Sequence, residues 1–389
     1  MHKSQDIFYI CRKCNLSEVD KSMIIKKISV LNYKNIRQAE VVCSVKINCF
    51  FGNNGMGKTN LLDSIYYLSF CKSHVNTPDS RLIFYGEDMC VVQGVYDFDG
   101  KEEDIFCAIR SGQRKQFRRN KKEYERLSEH IGLLPLVMIS PSDNDLIRGG
   151  SDERRRFIDM IISQHDKQYL NSLIQYNKAM MQRNVLLRER RNDASLLDIL
   201  EMQMGSYCVQ IYEKRVLLID MLTPTFNEYY GMICDSGESV GLQYVSSLKA
   251  GDIIKDLKES RTKDMMLGYS STGIHKDDIE MTLDEQLIRK VGSQGQNKTY
   301  LIALKLAQYA YMTSLGKTMP ILLLDDIFDK LDANRVEKII NLVVGDRFGQ
   351  IFITDTNRKY LDRILETMVQ DYSLFEVDEG KVYSIENEK

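Results

Sequence analysis

The chain has 389 residues, of which 43% are hydrophobic and 28% charged, and this composition excludes an intrinsically disordered or collagen-like protein. Its 53 basic and 55 acidic side chains give a net charge of −2, which excludes a uniform polycation, so any polyanion site must be local. No apolar run approaches the ~20 residues of a membrane span, and no secretory signal is found, so no membrane partner is expected. Nine scattered cysteines favour a reduced, cytoplasmic location.

Residues 1–22 lack a sustained hydrophobic period and are predicted to be a poorly ordered N-terminal extension. Cys11 and Cys14 have the spacing of half a zinc site, but no second pair follows, so a metal is not expected there. From Met23 onward, the alternation in MIIKKISVLNY predicts strands. Residues from about 83 to 140 continue this strand pattern, with a hairpin turn around 120–122.

A glycine-rich loop follows an apolar strand and precedes an amphipathic helix. Its sequence, GNNGMGKT, matches the phosphate-loop pattern G-x-x-x-x-G-K-[ST]. Glycines allow successive backbone N–H groups to point at phosphates at the N-terminus of the helix. Lys58 is predicted to reach the β- and γ-phosphate oxygens, and Thr59 to ligate Mg²⁺. The predicted nucleotide-binding residues of this loop are Gly52, Asn53, Asn54, Gly55, Met56, Gly57, Lys58 and Thr59.

From Ser151 to Leu222, the sequence changes to proline-free helical runs rich in Arg, Lys, Gln, Met and Leu. Breaks are predicted at 192–195 and at Gly205, which would make each run too short for an extended coiled coil. The predicted organisation is a head (lobe I) formed by 23–145 and 262–389, split by a mainly helical arm (lobe II) at 146–261.

A second acidic motif follows a buried-type strand late in the chain. The segment ILLLDD places Asp325 and Asp326 at the end of this strand, as in a Walker B segment. Asp325 is predicted to hold Mg²⁺ through water, and Asp326 to polarise the attacking water, acting together with Lys58 in catalysis. Many related ATPases have the longer glutamate in place of Asp326, so slow hydrolysis is expected. A helix at 296–315, a helix from near Asp332 and a strand at 350–354 are also predicted.

The segment GSQGQ at 292–296 stands directly before the helix that precedes the Walker B strand. A serine and glycine-flanked amides at a helix N-terminus form a second anion site. One chain cannot easily wrap both this loop and its own phosphate loop around a single triphosphate. The segment resembles the signature loop of ABC ATPases, which contacts the γ-phosphate of the opposite subunit. This resemblance implies a dimer in which Ser293, Gly295 and Gln296 of the signature loop bind the nucleotide held by the other chain. Residues 329–332 then occupy the position of a D-loop.

The order phosphate loop, large insertion, signature loop and Walker B segment resembles the heads of ABC and SMC ATPases, and most closely the RecF family. This resemblance implies an α/β P-loop NTPase head split by a helical arm. The strings that carry it are NYKNI (32–36), FFGNNGMGKTNLLDSIYYLSFCKSH (50–74), ISPSDNDLIRGGSDERRRFID (139–159), QRNVLL (182–187), GIHKDDIEM (273–281), GSQGQNKTYLIALKLAQ (292–308) and LLLDDIFDKLD (322–332). The family tends to have Arg, Pro and Arg at Lys34, Ile274 and Lys276. A switch histidine is missing after the strand at 350–354, which leaves the γ-phosphate sensor unassigned.

Similarity to this family implies ATP-dependent dimerisation, DNA binding and a weak, DNA-stimulated ATPase. It also implies cooperation with RecR and RecO in loading recombinase at gapped DNA, in recombinational repair and replication-fork maintenance. In this hypothesis, two ATP molecules clamp two chains head to tail around DNA, and hydrolysis is the timer that reopens the dimer.

A cationic segment supplies a candidate DNA surface. Residues 110–126 include eight basic side chains and only two acidic ones, Glu123 and Glu125. Phe117 and Tyr124 are expected to pack beneath them or to stack. The alternative is a solvated strand face. The basic residues are Arg110, Arg114, Lys115, Arg118, Arg119, Lys121, Lys122 and Arg126, of which Arg114, Lys115, Arg118, Arg119, Lys121 and Lys122 are the predicted DNA contacts.

Two other polar clusters favour structural roles. The arginines at 154–156 follow a helix start, where ion pairs with Asp152 and Glu153 are the favoured use. They belong to a second cationic cluster with Arg183, Arg188, Arg190 and Arg191. His275, with Asp277 and Asp278 beside it, has no metal-ligand spacing, and a packed loop is favoured.

Three other functions share these motifs. A transporter ATP-binding subunit is disfavoured by the helical insertion and the missing switch histidine. A nuclease of the overcoming-lysogenisation type would need a further catalytic domain, and only 389 − 325 = 64 residues follow Asp325. A non-hydrolysing clamp switched by ATP binding alone stays open as the third alternative.

Overall fold

The computed structural model describes residues 23–75, 77–189, 193–250, 252–316, 318–329, 331–356, 362 and 371–385. The predicted extension at 1–22 therefore lies outside the described residues. The described residues divide into two compact units: unit 1 comprises those up to Ser142 and from Gln308 onward, and unit 2 comprises those within Asp143–Ala307. This division differs from the predicted boundary at 261/262. Residues 262–307 group with unit 2 because the strand Asp278–Leu283 pairs there with the strand Val240–Val245.

In sequence, the strands and helices of unit 2 lie between two groups of elements that belong to unit 1. The strands are, in chain order, β1 (Met23–Tyr33), β2 (Ile36–Val42), β3 (Ile47–Phe51), β4 (Met89–Phe98), β5 (Lys101–Arg110), β6 (Gln116–Arg119), β7 (Lys122–Glu123), β8 (Leu136–Ile139), β9 (Val240–Val245), β10 (Asp278–Leu283), β11 (Gln286–Leu287), β12 (Ile321–Asp325), β13 (Ile351–Asp355), β14 (Tyr372–Asp378) and β15 (Lys381–Ile385). The helices are α1 (Lys58–Phe70), α2 (Asn144–Arg148), α3 (Ser151–His165), α4 (Lys167–Arg188), α5 (Ala194–Ile233), α6 (Ile253–Glu259), α7 (Arg261–Leu267), α8 (Ile288–Val291), α9 (Gln294–Leu315) and α10 (Ala333–Val344).

The first sheet of unit 1 is antiparallel, with the order β2-β1-β4-β5-β6-β7. Alternating apolar residues of β1, such as Ile28 and Val30, are buried, as the sequence pattern predicts. β6 and β7 form the predicted hairpin. Asn120 and Lys121 at its turn have φ of 50° and 67°, the left-handed values that a two-residue hairpin turn needs.

The second sheet of unit 1 carries the two nucleotide motifs. Its order is β15-β14-β3-β13-β12-β8, and all pairs except β14 with β15 are parallel. Every residue of β12 and β13 is buried, which explains their continuous apolar sequences. Both β3 and β12 pair with β13, so the segments that follow β3 and β12 leave the same edge of the sheet. Ligands of parallel α/β sheets bind at this edge.

Unit 2 is mainly helical, with a small antiparallel sheet of order β11-β10-β9. The predicted break at Gly205 is wrong, because α5 runs unbroken for 40 residues through Gly205 and Pro224. A Cβ at Gly205 would lie 2.5 Å from the side chain of Ile254 at the start of α6. The glycine therefore permits close packing against α5 and does not end the helix. Among the described helices, none combines the length and the hydrophobicity that a membrane-spanning segment needs.

Candidate nucleotide site

The phosphate loop joins β3 to α1 in unit 1. Gly55 and Gly57 have φ of 82° and 114°, a backbone conformation that favours glycine. Lys58 is buried in the first turn of α1, and its Nζ donates hydrogen bonds to the carbonyls of Gly52 (2.8 Å) and Asn53 (3.0 Å). The lysine ammonium and the free N–H groups at the start of α1 thus lie at the same loop, which is the chemistry of an anion site.

Two predicted metal ligands meet beside the loop. Thr59 Oγ1 donates a 3.0 Å hydrogen bond to Asp325 Oδ1 at the end of β12, and Thr354 Oγ1 donates to the same oxygen at 2.7 Å. Burial raises the pKa of the Asp325 carboxyl above its ordinary value, while both hydroxyl hydrogen bonds oppose the rise. A cation would offset the cost of burying this charge. Because Mg²⁺ takes hard oxygen ligands, the Thr59 hydroxyl and the Asp325 carboxylate fit it.

Asp326 directly follows this pair. Its φ is 44°, a left-handed conformation that is uncommon for residues other than glycine but that aspartate tolerates better than most. The backbone is held there by hydrogen bonds from Asp326 N to Thr354, at 3.2 Å to both the carbonyl oxygen and Oγ1. The side chain is half-buried. The strand therefore ends at Asp325, and the backbone turns at Asp326.

A cavity of about 260 Å³ opens beside Thr59 and Asp325. Lys34 lines it, and its Nζ lies 2.7 Å from Asp63 Oδ2 and 3.4 Å from Ser73 Oγ. Most of this lining belongs to no nucleotide motif, although the strings at 32–36 and 50–74 contain part of it. The remaining lining residues are Asp63, His74, Val75, Met138, Ser140, Pro141 and Ser142.

The signature loop lies in unit 2, before α9. Ser293 and Gln296 cap each other: Ser293 Oγ accepts from Gln296 N at 3.2 Å, and Gln296 Oε1 accepts from Ser293 N at 2.9 Å. Gln296 Nε2 also donates to Glu238 Oε1 at 2.7 Å. Ser293 is exposed, whereas Gly295 and Gln296 are half-buried. The predicted serine at a helix N-terminus is confirmed, and its action on a second chain stays a prediction.

The predicted D-loop leads into α10. Asp332 caps this helix, since its side chain accepts a 3.0 Å hydrogen bond from Arg335 N. The predicted helix start near Asp332 is thus confirmed. Lys330 of this loop lies outside the described residues.

The cationic segment is only partly available to a ligand. Lys115 Nζ lies 2.9 Å from Asp79 Oδ2 and also donates to Tyr67 Oη and Cys71 O, and Arg119 Nε lies 2.8 Å from Glu103 Oε2. These two charges are neutralised within unit 1. Lys121 and Lys122 are exposed at the hairpin, and Phe117 is buried beneath it, as predicted. The other exposed or half-buried cations of the segment are Arg110, Arg114, Arg118 and Arg126.

Four arginines of the second cluster make structural contacts, whereas Arg188 is exposed. The expected ion pairs with Asp152 and Glu153 form at Arg156, at 3.1 and 2.8 Å. Arg154 pairs instead with Asp278 at 2.6 Å, and Arg155 donates to the carbonyl of Asp277. Arg183 is fully buried between Glu201 and Asp264, while Arg190 and Arg191 lie outside the described residues.

His275 packs as expected. Its Nδ1 lies 2.7 Å from Tyr176 Oη and its Nε2 lies 2.9 Å from the carbonyl oxygen of Ser270. Burial lowers its pKa to about 4, so the ring is neutral at physiological pH.

This arrangement defines a class of protein. A parallel sheet carries a phosphate loop after β3 and a buried carboxylate after β12, and one strand separates them. Together with the helical insertion between the motifs, it defines a P-loop ATPase head of the ABC and SMC type.

The chain belongs to the RecF family of these ATPases. The family profile described as RecF/RecN/SMC N terminal domain matches residues 24–380. The chain is 67% identical over 364 residues to the DNA replication and repair protein RecF of Parabacteroides distasonis, covering 94% of this chain and 100% of that protein. It is 53% identical over 369 residues to that of Bacteroides fragilis, with coverages of 94% and 100%.

Solved structures confirm the predicted fold class. The recombination mediator protein RecF with ATP, of the RecFOR pathway, matches with a TM-score of 0.84 at 27% identity, covering 94% of this chain and 100% of that chain. The Smc head domain of Pyrococcus furiosus, bound to the C-terminal domain of ScpA, matches with a TM-score of 0.56 at 18% identity, covering 93% and 96%. This second likeness shows the fold alone.

Proposed function

We propose that the protein is an ATP-dependent DNA-binding ATPase of replication and recombinational repair. The observation that carries the proposal is the hydrogen bond of 3.0 Å between Thr59 and Asp325, which joins the phosphate loop to the Walker B carboxylate. In the proposed site, backbone N–H groups of residues 52–59 and the Lys58 ammonium bind the phosphates. Thr59 and Asp325 hold Mg²⁺, which supplies positive charge to the β- and γ-phosphates when bound.

Hydrolysis is assigned to Asp326. Its carboxylate accepts a proton from the attacking water, while Lys58 stabilises negative charge on the phosphates. Aspartate reaches less far than glutamate, so we infer a slow reaction that acts as a timer. The same short side chain favours the second candidate function, a clamp that binds ATP without hydrolysing it.

Dimerisation is assigned to the signature loop. Ser293 presents an exposed hydroxyl at the start of α9, whose 22 residues give it a full helix dipole. Ser293, Gly295 and Gln296 bind the γ-phosphate of ATP held by a second copy of the chain. Two ATP molecules then join two chains head to tail.

DNA binding is assigned to the hairpin of β6 and β7. Lys121 in its turn and Lys122 at the start of β7 are exposed, and Arg114 and Arg118 lie on the same segment. Binding through phosphate contacts predicts an affinity that falls steeply with salt. Lys115 and Arg119, also predicted as contacts, act indirectly here by fixing the segment through Asp79 and Glu103.

The proposed binding partners are inferred from the family to which the chain belongs. One of the similar solved structures is that of RecF with ATP, which is described as a recombination mediator protein of the RecFOR pathway. We extend this to the present chain as binding of DNA with single-strand gaps or junctions, and as cooperation with RecR and RecO in recombinase loading.

The test compares gapped, duplex and single-stranded DNA of equal length, each with ATP, with ADP and without nucleotide. We expect tight binding with ATP, strongest on gapped DNA. The Lys58→Met variant, whose affinity for nucleotide is expected to be weaker, serves as the control. Equal DNA affinity in all three nucleotide conditions would overturn the proposal.

A further inference from the structure

Two turns, distant from each other in sequence, hold the phosphate loop from outside. One lies between β1 and β2 and contains Asn35. The other lies between β14 and β15 and contains Glu379 and Gly380. Both belong to unit 1, and neither carries a part of the phosphate-loop or Walker B motifs.

Asn35 ties the loop to the start of α1. Its Nδ2 donates a 3.0 Å hydrogen bond to the carbonyl of Gly55, and its Oδ1 accepts one of 2.7 Å from Asn60 Nδ2. A Cβ at Gly57 would lie 2.9 Å from the same Oδ1. The amide thus occupies the space that a side chain at position 57 would need.

The β14–β15 turn contacts the next peptide of the loop. Gly380 N donates to the carbonyl of Met56 at 2.9 Å, and Glu379 N lies 3.4 Å from Met56 Sδ. A Cβ at Gly380 would lie 2.3 Å from the carbonyl oxygen of Asn35, so the two turns also touch each other. The missing Cβ of Gly380 allows this approach, and its φ of 76° is a conformation that favours glycine.

These bonds fix the direction of two loop N–H groups. In a planar trans peptide, the carbonyl and the N–H point in opposite directions. The carbonyl of Gly55 points to Asn35, so the N–H of Met56 points away from it. In the same way, the carbonyl of Met56 points to Gly380, so the N–H of Gly57 points away from the turn. Both N–H groups are therefore directed to the side of the loop opposite the two turns.

We propose that Asn35 and Gly380 are positioning residues for ATP: they hold the N–H groups of Met56 and Gly57 in the orientation that binds phosphate. This inference rests on the proposed ATP function. Preorganising the loop removes an ordering cost from nucleotide binding, so loss of either contact weakens the affinity for nucleotide.

The experiment uses a matched pair of glycines in the full chain. Gly100, in the β4–β5 turn of the same unit, has φ of 82°, and a Cβ there would meet nothing within 4 Å. Gly100→Ala and Gly380→Ala therefore both place alanine at a left-handed φ, but only Gly380→Ala displaces Asn35. The variants, with Asn35→Ala, are compared by the dissociation constant of a fluorescent ATP analogue with Mg²⁺ and by the thermal unfolding temperature.

We expect Gly380→Ala and Asn35→Ala to bind the nucleotide about tenfold more weakly than the wild type, and Gly100→Ala to bind it normally. Wild-type affinity in both Asn35→Ala and Gly380→Ala would overturn the inference, as would an equal loss in Gly100→Ala. If Gly380→Ala does not fold, Asn35→Ala decides alone. Absence of binding by the wild type and Gly100→Ala would contradict the ATP function itself, which separates the two failures.

Discussion

The side chains of Thr59 and Asp325 lie 3.0 Å apart, although 266 positions separate them in sequence. They meet because β3, which leads into the phosphate loop, and β12, which ends at Asp325, both pair with β13. Thr354 of β13 completes the contact through its hydroxyl. Unit 1 thus brings together the phosphate loop and the Walker B carboxylate, whereas the signature loop belongs to unit 2.

Replacing Lys58 by methionine tests the phosphate loop. Methionine keeps the bulk of the buried side chain but removes the ammonium, which would make charge-assisted hydrogen bonds to phosphate. We expect the affinity for nucleotide to fall by about tenfold to a hundredfold. Titration with a fluorescent ATP analogue measures the loss, and circular dichroism checks the fold. Unchanged affinity in a folded variant would remove Lys58 from the site.

Asp326→Asn tests the assignment of the catalytic carboxylate. The amide cannot accept the proton of the attacking water, so phosphate release in the presence of DNA should fall by about a hundredfold or more. ATP binding should change little, because Asp325 and Thr59 are retained. Glu337→Gln, an exposed carboxylate on α10, is the control. A wild type that releases no phosphate would favour the non-hydrolysing clamp, and an unaffected Asp326→Asn would assign the chemistry elsewhere.

The exposed hairpin lysines can be tested against Lys115, a half-buried lysine of the same cationic segment. Replacing both Lys121 and Lys122 by alanine should weaken DNA binding and lower the slope of log affinity against log salt by about one per lysine. Lys115→Ala should instead reduce thermal stability, since Lys115 is held by Asp79 and two further oxygen atoms. An unchanged salt slope in the double variant would place the DNA surface outside this hairpin.

Glu103 gives a pH-dependent prediction. Its hydrogen bonds from Arg119 (2.8 Å) and Asn120 (2.6 Å) lower the pKa of this carboxyl from 4.5 to about 2. A lowered folded-state pKa contributes stability that is full above pH 4.5 and is lost as the pH falls towards 2. Glu103→Gln should therefore lower the free energy of unfolding by about 1–3 kcal/mol at pH 7, with a smaller difference in acid. Chemical denaturation at several pH values measures this.

The neighbouring Glu102 provides the control for this prediction. It is exposed on the same strand, so Glu102→Gln should leave the unfolding free energy nearly unchanged. An equal effect of both substitutions, or a Glu103→Gln effect independent of pH, would contradict the assigned ion pair.

Local motifs made much of this site predictable. The residues GNNGMGKT determine their own loop and helix start, and an apolar strand ending in Asp325 identifies the second motif without knowledge of the fold. Ser293 before α9 was predictable for the same reason, because helix capping depends on residues three positions apart.

Contacts between distant segments were not predictable. No local sequence pattern around Lys115 or Arg119 predicts that Asp79 or Glu103 is its ion-pair partner. The sequence therefore suggested that more cations of this segment could bind DNA than the structure leaves unpaired. Gly205 was interpreted as a helix break because glycine lowers helix propensity, yet packing against Ile254 outweighs that cost. The contacts of Asn35 and Gly380 with the phosphate loop likewise depend on how the sheets of unit 1 fold together.

The most direct test of the central claim, that ATP joins two chains through the phosphate loop of one and the signature loop of the other, is the molar mass in solution by light scattering with ATP, with ADP and without nucleotide. The wild type should be a dimer only when ATP is present, and a monomer with ADP or without nucleotide. Ser293→Arg, which fills the proposed γ-phosphate contact, should stay a monomer while it still binds the fluorescent ATP analogue. An ATP-dependent Ser293→Arg dimer as stable as that of the wild type would contradict the account.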